Sequence, residues 1–379
     1  MNFPESPTAL LQELIRIPSV NPDCAPDQGA TGENNCARWV GGFLESIGAD
    51  VTYDEVLPNR PNVIGRFPSK ATSKGVLLAP HIDTVSVSGM TVDPFAADIV
   101  DGKIYGRGAS DTKGTMAAML WALSTLKDEL ATLQRPVAFV GLMGEEAGQP
   151  GSSHFAARYG HEFDFALVGE PTELETVHAH KGCVWLELTA RGRSCHGSTP
   201  HEGVNAIRPM LEHLFGLFDA IESILPDYHD ETLGAPTLNV GMIKGGTSPN
   251  IVPNACSVTM DFRETPSFCA AGGSLSLVQR LLSEAGLADL FEIKILCDSV
   301  PLLTPPETDG VRRLQSIGSS LTTAPWFCDA GRLSGGGIPS VACGPGSIAQ
   351  AHTKDEFLAI NDLEKGVEFY RNFIKTYQN

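Results

Sequence analysis

The chain has 379 residues, 42% of them hydrophobic and 19% charged, and its 27 basic and 45 acidic side chains give a formal net charge of −18. A surface this acidic repels polyanions, so the charge argues against a nucleic-acid partner and against an anionic membrane. The length exceeds what one hydrophobic core usually serves, so two domains are expected.

Membrane insertion and secretion are not expected either. No segment approaches the roughly 18 uninterrupted apolar residues of a membrane span. The start of the chain, Met1 to Glu5, has neither a basic nor an apolar leader region. The nine cysteines form no C-x-x-C pair, which is typical of reduced thiols in the cytoplasm.

The first part of the chain alternates predicted helices with apolar strands. Ser6 and Pro7 precede the spaced apolar residues of 10–15, which predicts a capped first helix. Strand-like runs follow at 76–80 and 165–169, with a helical pattern at 115–130 between them. This alternation predicts an α/β domain with an open, mostly parallel sheet.

Metal-binding residue types follow these runs and two further strand-like runs, 140–143 and 338–342, or open the helix after one. They are His81, Asp111, Glu146, Glu170 and His352. Singly, each has a plainer interpretation, because a Glu-Glu pair is usually a solvated loop and an Asp after Gly and Ser is usually a helix cap. Together they indicate one crevice, since the carboxyl ends of parallel strands share an edge. Nitrogen and oxygen ligands without a thiolate favour a catalytic over a structural metal.

The spacing allows a two-metal arrangement. Two ions about 3.5–4 Å apart need a bridging carboxylate. Asp111 is the natural candidate, which leaves His81 with Glu170 on one ion and Glu146 with His352 on the other.

Two further acids accompany the ligands. Asp83 lies two residues after His81, on the same face of extended chain, where it can orient the imidazole. Glu145 precedes Glu146, and adjacent side chains point apart, so one can bind metal while the other transfers a proton.

From about residue 180 the pattern changes to strand, helix, strand, strand, helix, strand. The predicted elements are the strands 184–192, 237–244, 255–263 and 291–297 and the helices 204–224 and 275–285. This order describes a ferredoxin-like α+β layer. We therefore expect a discontinuous metal-binding catalytic domain, 1–179 with 299–379, and an inserted domain, 180–298.

The motifs resemble those of the M20 metallopeptidases and deacylases. Pro80–Val85, Gly106–Gly114, Gly144–Glu146 and Gly169–Thr172 look like the metal motifs of that family in their usual order. Within the branch of acetylornithine deacetylases and succinyl-diaminopimelate desuccinylases, the closing segment Gly344–Phe357 is especially similar to the acetylornithine deacetylases.

The resemblance implies a zinc-exopeptidase-like three-layer catalytic domain with an inserted lid and dimerisation domain. It further implies two Zn²⁺ ions on the ligands above, with Co²⁺ or Mn²⁺ suited to the same donors. Glu145 would be the general acid/base, which is the basis for the order of roles in the Glu145–Glu146 pair. The Asp111–Thr112 peptide bond is expected to be cis.

The resemblance also gives roles to residues of the insert. His196 is similar to a lid histidine that donates to the oxyanion, often across a homodimer formed through the insert. Asn250 and Arg263 match substrate-contacting positions, and Arg263 could bind an α-carboxylate with two hydrogen bonds.

The expected activity is deacylation of a small N-acyl amino acid, with N-acetylornithine or a close analogue first. A dipeptidase, a carboxypeptidase and a succinyl-diaminopimelate desuccinylase remain open, because the segment 326–332 matches the known patterns only in part. A non-catalytic, metal-containing binding protein is the alternative of another class. Such a protein would be expected to have lost Glu145.

Overall fold

The computed structural model describes residues 4–25 and 32–378. The helices in these ranges are α1 (Pro7–Arg16), α2 (Asn34–Ser46), α3 (Lys113–Leu126), α4 (Pro150–Tyr159), α5 (Ile207–Ile224), α6 (Pro266–Ala270), α7 (Gly273–Glu284), α8 (Asp309–Ser316), α9 (Asp329–Gly335) and α10 (Ile360–Lys375). The strands are β1 (Asp50–Leu57), β2 (Arg60–Arg66), β3 (Gly75–Pro80), β4 (Ile99–Val100), β5 (Lys103–Tyr105), β6 (Val137–Gly141), β7 (Phe163–Gly169), β8 (Thr176–His180), β9 (Gly182–Arg191), β10 (Thr237–Gly245), β11 (Ala255–Glu264), β12 (Phe291–Ser299), β13 (Leu302–Leu303), β14 (Leu321–Ala324), β15 (Ser340–Ala342) and β16 (Phe357–Ala359).

The chain divides into two compact units. The first unit is Met1–His178, Leu302–Thr323 and Cys328–Asn379, and the second is Ala179–Pro301 with Ala324–Phe327. The predicted insert, 180–298, falls inside the second unit.

A large mixed sheet forms the centre of the first unit. Its strand order is β1-β2-β6-β3-β7-β15-β8-β13, and the neighbours β6, β3, β7 and β15 run parallel. All of β3 is buried: Val76 and Leu78 join the main apolar core, and Leu77 and Ala79, which point the other way, are buried too. A parallel strand buried on both faces is typical of a sheet covered by helices on each side.

The helices next to the sheet follow from their sequences. Ser6 accepts a hydrogen bond from the backbone N–H of Ala9, and Pro7 begins α1, as predicted. The helix α3 is apolar almost all round, and it is buried against α10 and α1. It spans Lys113–Leu126, shorter than the predicted 115–130 at its C-terminal end, where residues 130–132 form a separate 3₁₀ turn.

The second unit contains an antiparallel sheet in the order β10-β11-β9-β12, with α5 and α7 packed on it. Burial alternates along β11, which shows that one face of the sheet is covered. The predicted order of strands and helices is confirmed, with the short helix α6 as an unpredicted addition. The predicted α/β fold with an α+β second layer is therefore confirmed. Among the residues the structure describes, no helix is both long and apolar enough to cross a bilayer.

Candidate metal centre

The predicted ligands lie at the carboxyl edge of neighbouring parallel strands. His81 directly follows β3 and Glu170 directly follows β7. Glu145 and Glu146 follow β6 after a short loop, and β6 and β7 flank β3 on either side. The shared edge brings these side chains to one place, as the strand pattern predicts.

Three of these residues offer ligand atoms that all lie within 4.8 Å of one another: His81, Asp111 and Glu146. The Nε2 of His81 is 3.0 Å from Oδ1 of Asp111. The Nε2 of His352 is 3.3 Å from Oδ2 of Asp111 and 3.1 Å from Oε2 of Glu146. Each oxygen of Asp111 therefore faces a different imidazole, which is the placement expected of a bridging carboxylate.

Buried carboxylate oxygens without partners also lie in this region. Glu170 is only 4% exposed, and neither its Oε1 nor the Oε1 of Glu146 has a hydrogen-bond partner among the described residues. Burial raises the pKa of Glu170 well above its usual range, and the charge of Asp111 raises it further. Buried charged oxygens are costly unless a cation or a donor meets them. The donor set thus fits divalent cations.

The pKa values of two other ligands show the negative potential of the centre. Hydrogen bonds to Asp111 and then to Glu146 raise the pKa of His352 to about 10. Burial, followed by the charge of Asp111, raises the pKa of Glu146 to about 7. The same potential that stabilises a proton here would attract a divalent cation.

Asp83 connects His81 to the Glu145–Glu146 loop. Nδ1–H of His81 donates to the backbone carbonyl of Asp83 at 3.0 Å. Oδ1 of Asp83, 3.4 Å from the same nitrogen, accepts the backbone N–H of Glu145 at 3.1 Å. Its Oδ2 accepts the backbone N–H of Glu146 at 3.1 Å and the side-chain amide of Asn21 at 2.8 Å. Asp83 therefore orients the imidazole through its backbone carbonyl, and its buried carboxylate fixes the loop that carries both glutamates.

Glu145 and Glu146 have different partners. Oε1 of Glu145 accepts a hydrogen bond from Nε2 of Gln149 at 3.2 Å, whereas Glu146 faces His352. Burial raises the pKa of Glu145 well above its usual range, which increases its affinity for a proton. The Asp111–Thr112 peptide bond is cis, which confirms that prediction.

The three residues predicted in the insert lie in the second unit. His196 is exposed, and its Nδ1 lies 2.7 Å from the hydroxyl oxygen and 3.2 Å from the backbone nitrogen of Ser198. The loop around it pairs with that of Asn250, whose carbonyl accepts the N–H of Gly197 at 2.8 Å. Arg263 lies near the end of β11, outside these two loops.

Arg263 already has an anionic partner. Its Nε is 3.0 Å from Oδ1 of Asp261, and its Nη2 donates to Oδ2 at 3.1 Å. The two side chains are about one-third exposed, so this is a surface ion pair.

Sequence reasoning overlooked several buried polar residues around the centre. Asn21 and Gln149 are fully buried and donate to Asp83 and Glu145. Asp329 on α9 is fully buried, accepts a hydrogen bond from Ser152 at 2.5 Å, and has its pKa raised to about 7 by burial. Of these three residues, only Asp329 lies in a segment that the sequence analysis singled out, residues 326–332, which match the known family patterns only in part.

Comparison with known proteins shows the family of the chain. The model of peptidase family M20/M25/M40 matches residues 77–376. An acetylornithine deacetylase of Aliivibrio fischeri (strain MJ11) is 30% identical over 382 residues, which cover 96% of each chain. The chain belongs to peptidase family M20/M25/M40. It is therefore a hydrolase of that family, as the motifs indicated.

Solved structures of M20 proteins share the fold. The M20 metallo-carboxypeptidase Sso-CP2 of Sulfolobus solfataricus superposes with a TM-score of 0.78 at 21% identity, covering 99% of this chain and 100% of that chain. The YXEP protein of Bacillus subtilis, described as a dinuclear metal-binding peptidase of family M20, gives a TM-score of 0.67 at 15% identity and covers 98% of both chains.

Proposed function

We propose that this M20 hydrolase removes the acyl group from N-acyl amino acids, with N-acetylornithine as the first substrate. The observation that carries the substrate assignment is the similarity, over 96% of both chains, to a protein named acetylornithine deacetylase. The product of that reaction, ornithine, would place the enzyme in arginine biosynthesis, and the nine free cysteines suit a reducing cytoplasm.

The proposed cofactor is a pair of Zn²⁺ ions, with Co²⁺ or Mn²⁺ as substitutes. His81 and Glu170 would hold one ion, Glu146 and His352 the other, and Asp111 both. A pair of divalent cations held there would polarise the amide carbonyl and lower the pKa of water. The support comes from the three ligand atoms within 4.8 Å and from the unpartnered oxygens of Glu146 and Glu170.

The proton transfers are assigned to Glu145. Gln149 holds Oε1 by a hydrogen bond, so we assign the other oxygen the proton of the attacking water. Glu145 then delivers this proton to the departing amine. Asp83 keeps the backbone of Glu145 in place during both steps, because it accepts the N–H of that residue.

We assign roles toward the substrate to three residues of the insert. Ser198 occupies Nδ1 of His196, and we assign Nε2–H the role of donor to the developing oxyanion. Asn250 and Arg263 would bind the amino-acid part of the substrate. Arg263 would have to exchange Asp261 for the substrate carboxylate, a small cost because surface ion pairs contribute only about 0–1 kcal/mol.

A homodimer through the insert is proposed as well. The strand β10 is an edge of its sheet, and it exposes Met242 and Ile243 at 47% and 59%. The neighbouring helix α5 exposes Leu211 and Phe215 at 67% and 79%. An open edge beside exposed apolar side chains suits a second copy of the chain. Sedimentation of wild type and of Phe215→Glu would test this, and a wild-type monomer would contradict it.

A peptidase is the second candidate function, favoured by the metallo-carboxypeptidase of the same fold. The deciding experiment is a substrate panel for the Zn²⁺-loaded protein: acetylornithine, acetylcitrulline, succinyl-diaminopimelate and simple dipeptides. We expect the highest kcat/KM on acetylornithine. Preference for dipeptides would support the peptidase, and preference for the succinyl substrate would support the desuccinylase. No cleavage with two metals bound would support a non-catalytic binding protein.

A further inference from the structure

Glu356 is a fully buried acid in the first unit to which the proposed reaction gives no role. It stands four residues after His352, directly before β16. The strand β16 pairs with β5, so this part of the chain runs beside the segment that leads into Asp111.

Among the described residues, every hydrogen bond that the side chain of Glu356 accepts comes from the loop 107–111. The donors are Nη1 of Arg107 at 2.6 Å and the N–H of Gly108 at 3.1 Å to Oε2, and the N–H groups of Ser110 and Asp111, both at 2.9 Å, to Oε1. The backbone carbonyl of Glu356 also accepts the N–H of Gly106 at 3.0 Å. Glu356 thus accepts five hydrogen bonds from five residues of the segment 106–111.

The loop is shaped to present these donors. Gly106 and Gly108 have φ values of 152° and 83°, a region that residues with a Cβ rarely adopt. The resulting curl directs three backbone N–H groups at one carboxylate, which forms a concave anion site. Without an acceptor there, those buried N–H groups would lack hydrogen-bond partners, which would destabilise the loop.

Glu356 therefore links the two segments that carry Asp111 and His352. It accepts the N–H of Asp111 itself, and Nε2 of His352 lies 3.3 Å from the side chain of Asp111. We propose that Glu356 is a positioning residue that sets the place of Asp111 relative to His352 and so determines metal affinity. This inference rests on the proposed function of Asp111 and His352 as ligands.

The test is Glu356→Gln in the full-length protein. The amide replaces one acceptor oxygen with an NH₂ group, which then faces donors on the loop. Removing a residue that orients metal ligands typically weakens metal binding about 10- to 100-fold. We expect a loss of that size in Zn²⁺ affinity, measured by competition with a fluorescent chelator. With saturating Zn²⁺, kcat should fall while KM stays near that of wild type, since Glu356 is buried away from solvent.

Glu264→Gln is the matched control. Glu264 is another buried acid, 4% exposed, and it accepts the N–H of Ser274 at 2.6 Å in the second unit. Its substitution should leave Zn²⁺ affinity unchanged. Thermal melting of the metal-free proteins verifies that both variants fold. Should Glu356→Gln fail to fold, Glu356→Asp keeps the charge but shortens the reach, and it should show a smaller loss of Zn²⁺ affinity.

A second readout does not depend on metal. The amide hydrogens of Ser110 and Asp111 should exchange slowly in wild type and faster in Glu356→Gln, with no such change in Glu264→Gln. If Glu356→Gln keeps wild-type Zn²⁺ affinity and wild-type amide exchange, the positioning role of Glu356 is wrong, whereas the proposed function is unaffected. A wild-type protein that binds no divalent metal would overturn the proposed function and this inference with it.

Discussion

The candidate metal centre of the first unit and the His196 and Asn250 loops of the second unit hold their polar side chains differently. Asp83 and Asp111 are almost completely buried, and each is fixed by several hydrogen bonds or ion pairs. His196 and Asn250 are exposed and bond mainly to neighbours in their own loops. A buried charge requires a supporting structure, whereas an exposed donor does not. Substitution of Asp83 or of a proposed ligand should therefore affect metal binding or stability. Substitution of Glu145, which is proposed to transfer protons and not to bind metal, or of the exposed loop residues should affect turnover.

The largest effect is expected within the centre, from Glu145→Gln. Loss of a general acid/base typically costs about 10²- to 10⁴-fold in rate. We expect kcat to fall by that amount while bound Zn²⁺, measured by atomic emission, stays near wild type. The neighbouring Glu146→Gln is the control, because it should reduce the Zn²⁺ content instead. Full activity in Glu145→Gln would refute the assignment of the base.

His196→Ala tests the exposed side of the comparison. Removing one oxyanion donor costs about 10²- to 10³-fold in kcat. Because His196 is exposed, the free energy of unfolding should change by no more than about 0.5 kcal/mol. His201→Ala, an exposed histidine in the following 3₁₀ turn, should leave both quantities unchanged. Equal kcat values in steady-state kinetics of the two variants would remove His196 from the mechanism.

Asp83→Asn should combine the two kinds of effect that the comparison separates. The amide would place a donor where Asp83 now accepts from Glu145, Glu146 and Asn21. We expect about 10- to 100-fold weaker Zn²⁺ binding together with a lower melting temperature. Asp54→Asn, which removes a buried ion-pair partner of Arg158, should lower only the melting temperature. Equal Zn²⁺ affinities in the two variants would argue against the role of Asp83.

Local patterns predicted most of the fold. The cap at Ser6 and the strand predicted at 255–263 depend on residues close in sequence, and both appear as expected. The edge shared by His81, Glu146 and Glu170 followed from a general property of parallel strands. These features can be predicted without knowing which residues distant in sequence are in contact.

The supporting residues of the centre could not be predicted in this way. Gln149 reaches Glu145 from a left-handed backbone conformation with φ of 59°, which a non-glycine residue rarely adopts. Glu356 meets Asp111 only because β16 pairs with β5. Asp261 is different, since two residues apart on a strand means the same face, and its pairing with Arg263 was therefore open to prediction from sequence.

The smallest expected effect is a change of stability with pH. It comes from His180, a buried side chain of the second unit that stays neutral in the folded protein. His180 is fully buried, and its Nδ1–H donates to the carbonyl of Lys181 at 3.0 Å. Its Nε2 has no partner among the described residues, and burial lowers the pKa of His180 to about 4. A second proton on this ring would therefore be a buried charge without an acceptor.

The sign of the pH effect follows from this lowered pKa. The unfolded chain binds the proton near pH 6.5, but the folded protein does so only near pH 4, so stability falls as the pH decreases between these values. Relative to pH 8, this group should remove about 2 kcal/mol at pH 5. His180→Asn keeps a donor near the position of Nδ1 but cannot titrate. Urea unfolding at the two pH values should show a smaller loss for this variant than for wild type. An equal loss of stability in the variant and in wild type would mean that His180 binds a proton in the folded state. The second unit would then tolerate a buried charge without a hydrogen-bond partner, whereas the buried charges of the first unit have such partners.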